Sequence, residues 1–193
     1  MRAVHAREYN ARSPGGIEVW KYTFPLHGSD SLDDVLIRTG KWNGRFECAH
    51  GRNIEVLRWD TAHALVVAAA NAVYIVDPEN PDVFSGMAAP VAITGVTFDE
   101  KGQHMFVADS LRVYAFSSDR LFQWISEPLE GYDAHLLDCG RRILAVELKP
   151  LVELAPNGDE PPPSVIRLRT EDGTILRSRF RRGVRHWTRP AAA

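Results

Sequence analysis

Short apolar segments separated by polar turns dominate the middle of the chain. Four of them follow one another between Val96 and Trp124, and each has the length of a strand rather than a helix. The turn residues between them are small or charged, as in Asp99-Glu100-Lys101-Gly102. This stretch therefore predicts four short β-strands in succession.

A similar unit lies forty residues upstream. Shifting the chain by that distance aligns six positions of the same chemical type without a gap. These are Val56 with Val96, Leu65 with Met105, Val67 with Val107, Ala68 with Ala108, Val73 with Val113 and Tyr74 with Tyr114. We therefore expect residues 53–93 and 94–133 to adopt superimposable four-stranded units.

A less regular third copy begins near His135 and resumes at Val165. The interruption, Lys149–Ser164, contains five prolines, which lack the N–H that a central strand needs. Upstream, Ile17–Phe24 and Val35–Ile37 are predicted strands, with a bulge where the apolar alternation of the first one shifts. Residues 40–52 have three glycines and no assignable register.

The domain organisation follows from this pattern. We expect residues 1–16 to be a flexible segment and residues 17–180 to form a single all-β domain, with 149–164 as an excursion from the sheet. Residues 181–193 form a basic tail.

Four short antiparallel strands with a period near forty resemble the blades of WD-repeat and related β-propeller proteins. The hairpin from Phe98 to Ala108 is similar to the first hairpin of such blades, and Leu111–Ser117 resembles their third strand. The resemblance covers residues 53–180. It implies a propeller-like fold that presents a rigid surface to a partner.

The chain departs from the WD family in the motif residues. It has no Gly-His pair that opens a blade, and its Trp-Asp pair, Trp59-Asp60, ends a first strand instead of a third one. No functional residue of that family is therefore carried over to this chain.

The number of blades leaves three architectures open. The pattern supplies three and a half to four blades, whereas propellers have four to eight. A small closed ring and an open arc are both consistent with it. An open arc leaves a sheet edge and an apolar face uncovered, which a second copy of the chain would cover in a dimer. A two-sheet β-sandwich is the alternative fold.

Composition and charge exclude several classes. The chain has 193 residues and a net charge of −2, which argues against a surface built as a whole for nucleic acid. The N-terminus lacks the apolar centre of a signal peptide, and the longest apolar run, Ala64–Ala70, is too short to cross a bilayer. Two distant cysteines, Cys48 and Cys139, suggest free thiols. We expect a soluble cytoplasmic protein with no membrane contact.

No pattern identifies a catalytic, metal or cofactor site. The seven histidines form none of the spacings typical of metal ligands, and no Gly-x-Ser-x-Gly motif is present. Several acidic residues, such as Asp99 and Asp138, lie at predicted strand ends, where turn formation accounts for them. A small-ligand or hydrolase site at a propeller rim, built from such acids and His104 or His135, remains an alternative function.

The C-terminal tail concentrates positive charge. Residues 165–193 carry +6, and the rest of the chain carries −8. The arginines of the tail are candidates for contact with phosphates or an acidic partner, and its tryptophan for stacking on a base. These candidate contact residues are Arg177, Arg179, Arg181, Arg182, Arg185 and Trp187. A role within the protein or in solvent is favoured over a protein partner, and nucleic acid is the least favoured.

Two aromatic residues of a predicted outer strand, Phe122 and Trp124, are the candidate protein-contact residues. Together with the lack of a reactive motif, they predict a non-enzymatic scaffold or a small partner-blocking protein that binds another protein or itself. Nucleic-acid contact through the tail is the second alternative function.

Overall fold

The structure, a computed structural model, describes residues 22–24, 33–39, 42–49, 54–129, 132–149 and 163–176. Within these ranges the protein is all-β, and its strands form four small sheets. No described segment is a helix of the length and apolarity required to cross a membrane.

The first sheet has three strands in the order β1-β3-β2. They are β1 (Tyr22–Phe24), β2 (Asp33–Arg38) and β3 (Asn43–Cys48). β2 is antiparallel to β3, but β1 is parallel to it, with Phe24 beside Phe46. The rings of these two residues stack with centroids 4.2 Å apart.

The predictions for this region are confirmed in part. The predicted strand at Val35–Ile37 lies within β2, and the last three residues of the predicted strand Ile17–Phe24 form β1. The bulge predicted between Val19 and Trp20 lies outside the described residues, as does the segment 1–16. β3 occupies part of the stretch to which the sequence assigned no register.

The second sheet is an antiparallel meander of four strands in chain order. They are β4 (Ile54–Trp59), β5 (Ala64–Ala69), β6 (Ala72–Val76) and β7 (Phe84–Ala88). The third sheet repeats this arrangement. Its strands are β8 (Ile93–Phe98), β9 (His104–Asp109), β10 (Val113–Ser117) and β11 (Phe122–Ile125).

The forty-residue repeat is confirmed at the level of strand pairing. In the second sheet Val56 is opposite Val67, and Val67 is opposite Tyr74. Their equivalents in the third sheet have the same partners: Val96 is opposite Val107, and Val107 is opposite Tyr114.

The fourth sheet carries the third copy. It contains β12 (Tyr132–Cys139), β13 (Ile143–Lys149) and β14 (Ser164–Arg169), all antiparallel. An isolated bridge joins Leu168 to Ile175 at the edge of β14. Most of the proline-rich insertion, residues 150–162, lies outside the described residues.

The four sheets pack face to face in chain order, with one hydrophobic core at each boundary. β5 illustrates the reason, since all six of its residues are buried. Leu65, Val67 and Ala69 face the first sheet, while the alternate residues Ala64, Val66 and Ala68 face the third. A fully buried valine contributes about 1.5–3 kcal/mol relative to an exposed one, so both faces of this strand stabilise the stack.

The first and fourth sheets form the two ends of the stack, and no core cluster of described residues joins them. Their outward faces differ. Arg38 and Arg45 are exposed on the first sheet. On the fourth sheet Ile143 and Val165 are exposed large apolar residues on the face that is turned away from the third sheet.

Backbone hydrogen bonds guide the chain from one sheet to the next in a repeated way. After β7, the N–H of Ala89 donates to the carbonyl of Asn71 at 2.7 Å. After β11, the N–H of Leu129 donates to the carbonyl of Leu111 at 2.8 Å. In both cases the residue after the last strand of a sheet is hydrogen-bonded to the turn before the third strand of the same sheet. This bond fixes the direction in which the chain continues to the next sheet.

Candidate functional site

The two aromatic candidates of β11 lie on opposite faces of the third sheet. Phe122 is opposite Phe116, which belongs to the core shared with the second sheet. Trp124 is opposite Ala115, which belongs to the core shared with the fourth sheet. They therefore do not form one surface patch, and each has its own surroundings.

Trp124 is part of the boundary between the third and fourth sheets. Its ring lies 5.8 Å from that of Phe106, and its indole N–H donates to the carbonyl of Thr170 at 3.0 Å. Gly173 lies directly against the indole, because an added Cβ at that position would be 2.5 Å from a ring atom. Trp124 thus joins two sheets of the same chain.

Phe122 borders a cleft that opens between the second and third sheets. The exposed fraction of Phe122 is 54%, and the cleft volume is about 330 Å³. We call this the outer cleft. Its lining residues come from β6, β7, β10, β11 and the turn before β11: Val73, Ile75, Ser85, Gly86, Met87, Ala88, Tyr114, Phe116, Arg120 and Phe122.

The outer cleft arises from the way the two sheets pack. Val73, Ile75, Tyr114 and Phe116 extend the core between the sheets outward and form an apolar floor. Toward the outer strands β7 and β11 the core ends, so the facing surfaces of the two sheets remain open to solvent. A cleft lined in this way favours apolar side chains as occupants.

Among the residues that the structure describes, Arg120 is the only charged one that lines the outer cleft. Its backbone has a φ of +65°, and its side chain reaches across the boundary to the second sheet. The guanidinium donates to the carbonyls of Ala62 and His63, each at 2.9 Å, and lies 3.4 Å from the carboxylate of Asp77. The charge of Arg120 is therefore engaged in holding the two sheets together.

Asp77, the partner of Arg120, also accepts hydrogen bonds from its own loop. Its carboxylate accepts hydrogen bonds from the backbone N–H groups of Glu79 and Asn80. The hydrogen bond from Glu79 has the largest effect on the Asp77 carboxyl and lowers its pKa below the usual range. The bond from Asn80 and the guanidinium of Arg120 lower the pKa further. No spacing pattern indicates this pair, since the two residues are 43 positions apart.

Tryptophan indoles connect neighbouring sheets at all three boundaries. Besides Trp124, the indole N–H of Trp42 donates to the carbonyl of Pro78 at 3.0 Å, which links the first and second sheets. That of Trp59 donates to the carbonyl of Gly102 at 2.6 Å, which links the second and third. The Trp-Asp pair noted in the sequence thus contributes its indole to a sheet boundary.

The repeat-equivalent tyrosines have different partners. The hydroxyl of Tyr74 donates to the carbonyl of Glu47 in the first sheet. The hydroxyl of Tyr114 donates at 2.7 Å to the buried carboxylate of Asp109, which also accepts the N–H groups of Leu111 and Arg112. Burial and this carboxylate raise the pKa of the Tyr114 hydroxyl above its usual range.

In the part of the chain that the structure describes, the strand-end acids and histidines do not all meet at one centre. His104 Nδ1 lies 2.9 Å from the carboxylate of Asp99, which also accepts the N–H of Gln103 and so shapes the turn. Asp109 lies at the opposite end of β9 from that turn. Among the described residues no group of three or more His, Cys, Asp or Glu side chains is placed to hold a metal ion.

Both cysteines are buried, and neither forms a disulfide bond. Burial, together with the carboxylates of Asp99, Asp138 and Glu100, raises the pKa of the Cys139 thiol to about 12. A thiol in this state is a poor nucleophile at neutral pH.

The tail candidates, Arg177 to Arg185 and Trp187, lie outside the described residues, so contact through the tail stays a prediction.

No known protein family has a model that matches the chain, and no curated protein matches its sequence.

Proposed function

We propose that the chain is a non-enzymatic protein-interaction scaffold, a propeller-like open arc of four blades that binds a protein partner at the outer cleft. The observation that carries this proposal is the cleft itself, which is apolar and has a half-exposed phenylalanine, Phe122, at its border. Exposed aromatic residues beside an apolar pocket are typical of protein-binding hot spots.

The blade assignment is supported by how the sheets pack. The second and third sheets are four-stranded meanders in chain order, and each contributes its two faces to two different cores. A two-sheet sandwich has one core between two inner faces, and its outer faces are polar. A stack of antiparallel meanders with buried faces on both sides favours blades over a sandwich.

The character of the cleft supports binding over catalysis. Its lining residues include no carboxylate, imidazole or thiol, and the guanidinium of Arg120 is already hydrogen-bonded across the boundary. Two hydroxyl groups line the cleft, those of Ser85 and Tyr114. That of Tyr114 donates to Asp109, and the described lining residues include no base that would activate Ser85. The cleft offers shape and apolar area instead.

The test is a comparison of captured partners. Tagged wild-type protein and the variant Phe122→Ala are used to capture proteins from the native host, which are quantified by mass spectrometry and then remeasured with purified partner by calorimetry. Leu137→Ala is the matched control, because Leu137 has a similar exposed fraction, 53%, but lies on the fourth sheet.

We expect Phe122→Ala to weaken binding about 10- to 100-fold and Leu137→Ala to leave it unchanged, since truncation of a hot-spot aromatic costs about 2 kcal/mol or more. A captured partner that binds Phe122→Ala and the wild type equally would contradict the proposed site. Loss of binding in the Leu137 variant alone would move the interface to the fourth sheet.

A further inference from the structure

We infer that the partner binds at the outer cleft as an extended segment, which adds a fifth strand to the second sheet along the edge of β7. The inference rests on the proposed function and specifies the kind of segment that is bound. Three observations support it: the free edge of β7, the lack of edge protection, and the exposed apolar residues of β11 that face the added strand.

The free edge of β7 follows from the hydrogen bonds at its ends. The N–H of Asp77 donates to the carbonyl of Val83, and the N–H of Ala89 donates to that of Asn71. In an antiparallel pair the bonded residues alternate, so the odd-numbered residues from 83 to 89 bond to β6. The N–H and C=O groups of Phe84, Gly86 and Ala88 therefore point away from β6, along a strand that is the last of its sheet within the described part of the chain.

The edge of β7 also lacks the features that usually block strand addition. Its residues, Phe84 to Ala88, include no charged side chain and no proline, and its pairing with β6 has no bulge. The corresponding edges of the other sheets differ. β11 pairs with β10 through a bulge at Ala115/Phe116, and the bridge from Leu168 to Ile175 covers part of the edge of β14.

A strand added to β7 would lie opposite the exposed face of β11. Phe122 and Ile125 are aligned with Phe116 and Tyr114, which face the second sheet. The exposed fractions of Phe122 and Ile125 are 54% and 40%, because the second sheet ends at β7 and does not cover them. A fifth strand at the usual spacing of about 4.8 Å would extend the second sheet over these side chains.

The surroundings indicate the composition of the bound segment. Every second residue faces the third sheet and contacts Phe122 and Ile125, so alternate positions are apolar. The loops at the Arg120 end of the cleft expose three acidic residues, Glu79, Asp82 and Asp119. The charge of Arg120 is engaged by Asp77, so the exposed carboxylates of Asp82 and Asp119 favour a lysine or arginine in the segment.

The experiment uses the full-length protein as bait for a random peptide library displayed on phage. We expect the enriched peptides to have apolar residues at alternate positions and a basic residue at one end. Synthetic copies are then measured by fluorescence anisotropy, with a series in which one backbone amide at a time is N-methylated.

Strand addition predicts an alternating result in that series. Methylation of every second amide removes a hydrogen bond to β7 and lowers affinity about 10-fold or more, while methylation of the intervening amides has little effect. The series changes only the ligand, so it does not depend on whether a protein variant folds. Phe122→Ala is expected to weaken the peptides about 10-fold, and Leu137→Ala to leave them unchanged.

The inference is overturned if the amide series shows no alternation, or if Phe122→Ala binds the peptides as well as the wild type. Enrichment of sequences that resemble residues 177–193 of the chain would assign the edge to its own terminus and would also overturn the inference. A third outcome separates the two proposals. If host partners bind through Phe122 but the methylated peptides show no alternation, the proposed function stands and only strand addition is overturned.

Discussion

The guanidinium of Arg120, in the turn before β11, lies 3.4 Å from the carboxylate of Asp77, which follows β6 in the neighbouring sheet. The same guanidinium donates to two carbonyls of the β4–β5 turn. One side chain thus connects three segments across the boundary that contains the outer cleft, and its contacts can be tested separately from binding.

We expect Arg120→Ala to lower the free energy of unfolding by about 2–3 kcal/mol, because it removes several charge-assisted hydrogen bonds. Arg58→Ala is the matched control. Arg58 forms an ion pair with Asp60 in which both side chains are largely exposed, so its loss should cost about 0–1 kcal/mol. Urea unfolding followed by tryptophan fluorescence measures both, and equal costs would contradict the bridging role of Arg120.

The carbonyl of Gly102 accepts hydrogen bonds from both the indole of Trp59 and the hydroxyl of Thr61. When one donor is removed, the other still satisfies the carbonyl. Trp59→Phe and Thr61→Val should therefore each lower the free energy of unfolding only slightly through this carbonyl, whereas the double variant leaves it without a donor. In a double-mutant cycle we expect the double variant to be about 1 kcal/mol less stable than the sum of the single effects. Trp59→Phe combined with Trp124→Phe should be additive, since these residues lie at different boundaries.

Gly173 has a φ of +72° and lies against the indole of Trp124. Gly173→Ala combines an unfavourable backbone conformation with overpacking, and we expect it to cost about 2–4 kcal/mol. Gly95→Ala is the control, because an added Cβ there meets nothing within 4 Å, and it should change stability by less than about 0.5 kcal/mol. Thermal unfolding distinguishes the two; a neutral Gly173→Ala would mean that this turn is not packed as described.

Glu55 predicts a dependence of stability on pH. Burial raises the pKa of its carboxyl above the ordinary 4.5, against the opposing effect of a hydrogen bond from the Val96 N–H. Because its pKa is higher in the folded than in the unfolded state, ionisation costs more in the folded protein, and stability falls as pH rises through this window.

Glu55→Gln removes that cost. The variant should be more stable than the wild type at neutral pH, and the difference should shrink as pH falls below the ordinary pKa. Melting temperatures measured at a series of pH values check this. A difference that stays constant with pH would mean that the Glu55 carboxyl is not perturbed.

The raised pKa of Cys139, about 12, predicts a protected thiol. In the native protein at about pH 8, iodoacetamide should modify Cys139 far more slowly than in guanidinium, because almost no thiolate is present and the sulfur is buried. Intact-mass spectrometry with peptide mapping follows the reaction. Fast native labelling of Cys139 would contradict both the burial and the charge environment.

Much of the fold was predictable where local patterns determine it. The two meanders have clear strand and turn signals, and the apolar run Ala64–Ala70 contains β5, all of whose residues are buried. The resemblance at a spacing of forty residues identified the equivalent positions, because each unit repeats the same contacts within itself.

The first sheet was harder to predict for two physical reasons. In β3 one of the inward positions is Gly44, whose missing side chain leaves room for the rings of Phe24 and Trp42, so the apolar alternation is incomplete. β1 pairs in parallel with a strand some twenty residues away, and no local signal specifies such a partner.

Of the two aromatic candidates, only Phe122 lines the outer cleft. The sequence placed Phe122 and Trp124 in one outer strand but did not show that they face different sheets, because the bulge at Ala115/Phe116 is a property of the pairing. The outer cleft and the contact of Arg120 with Asp77 depend on how two sheets pack against each other. Such long-range contacts leave no spacing pattern in a single sequence.

The three hydrophobic cores have no residue in common. The free energy that joins any two neighbouring sheets is therefore set locally, as it is between the units of repeat proteins. In evolution, the residues of one boundary can then drift while the others keep their packing, and a unit at either end can be exchanged with little effect on the far end. The outer cleft, at the middle boundary, is supported by an intact neighbour on each side and would be the last surface to lose its shape.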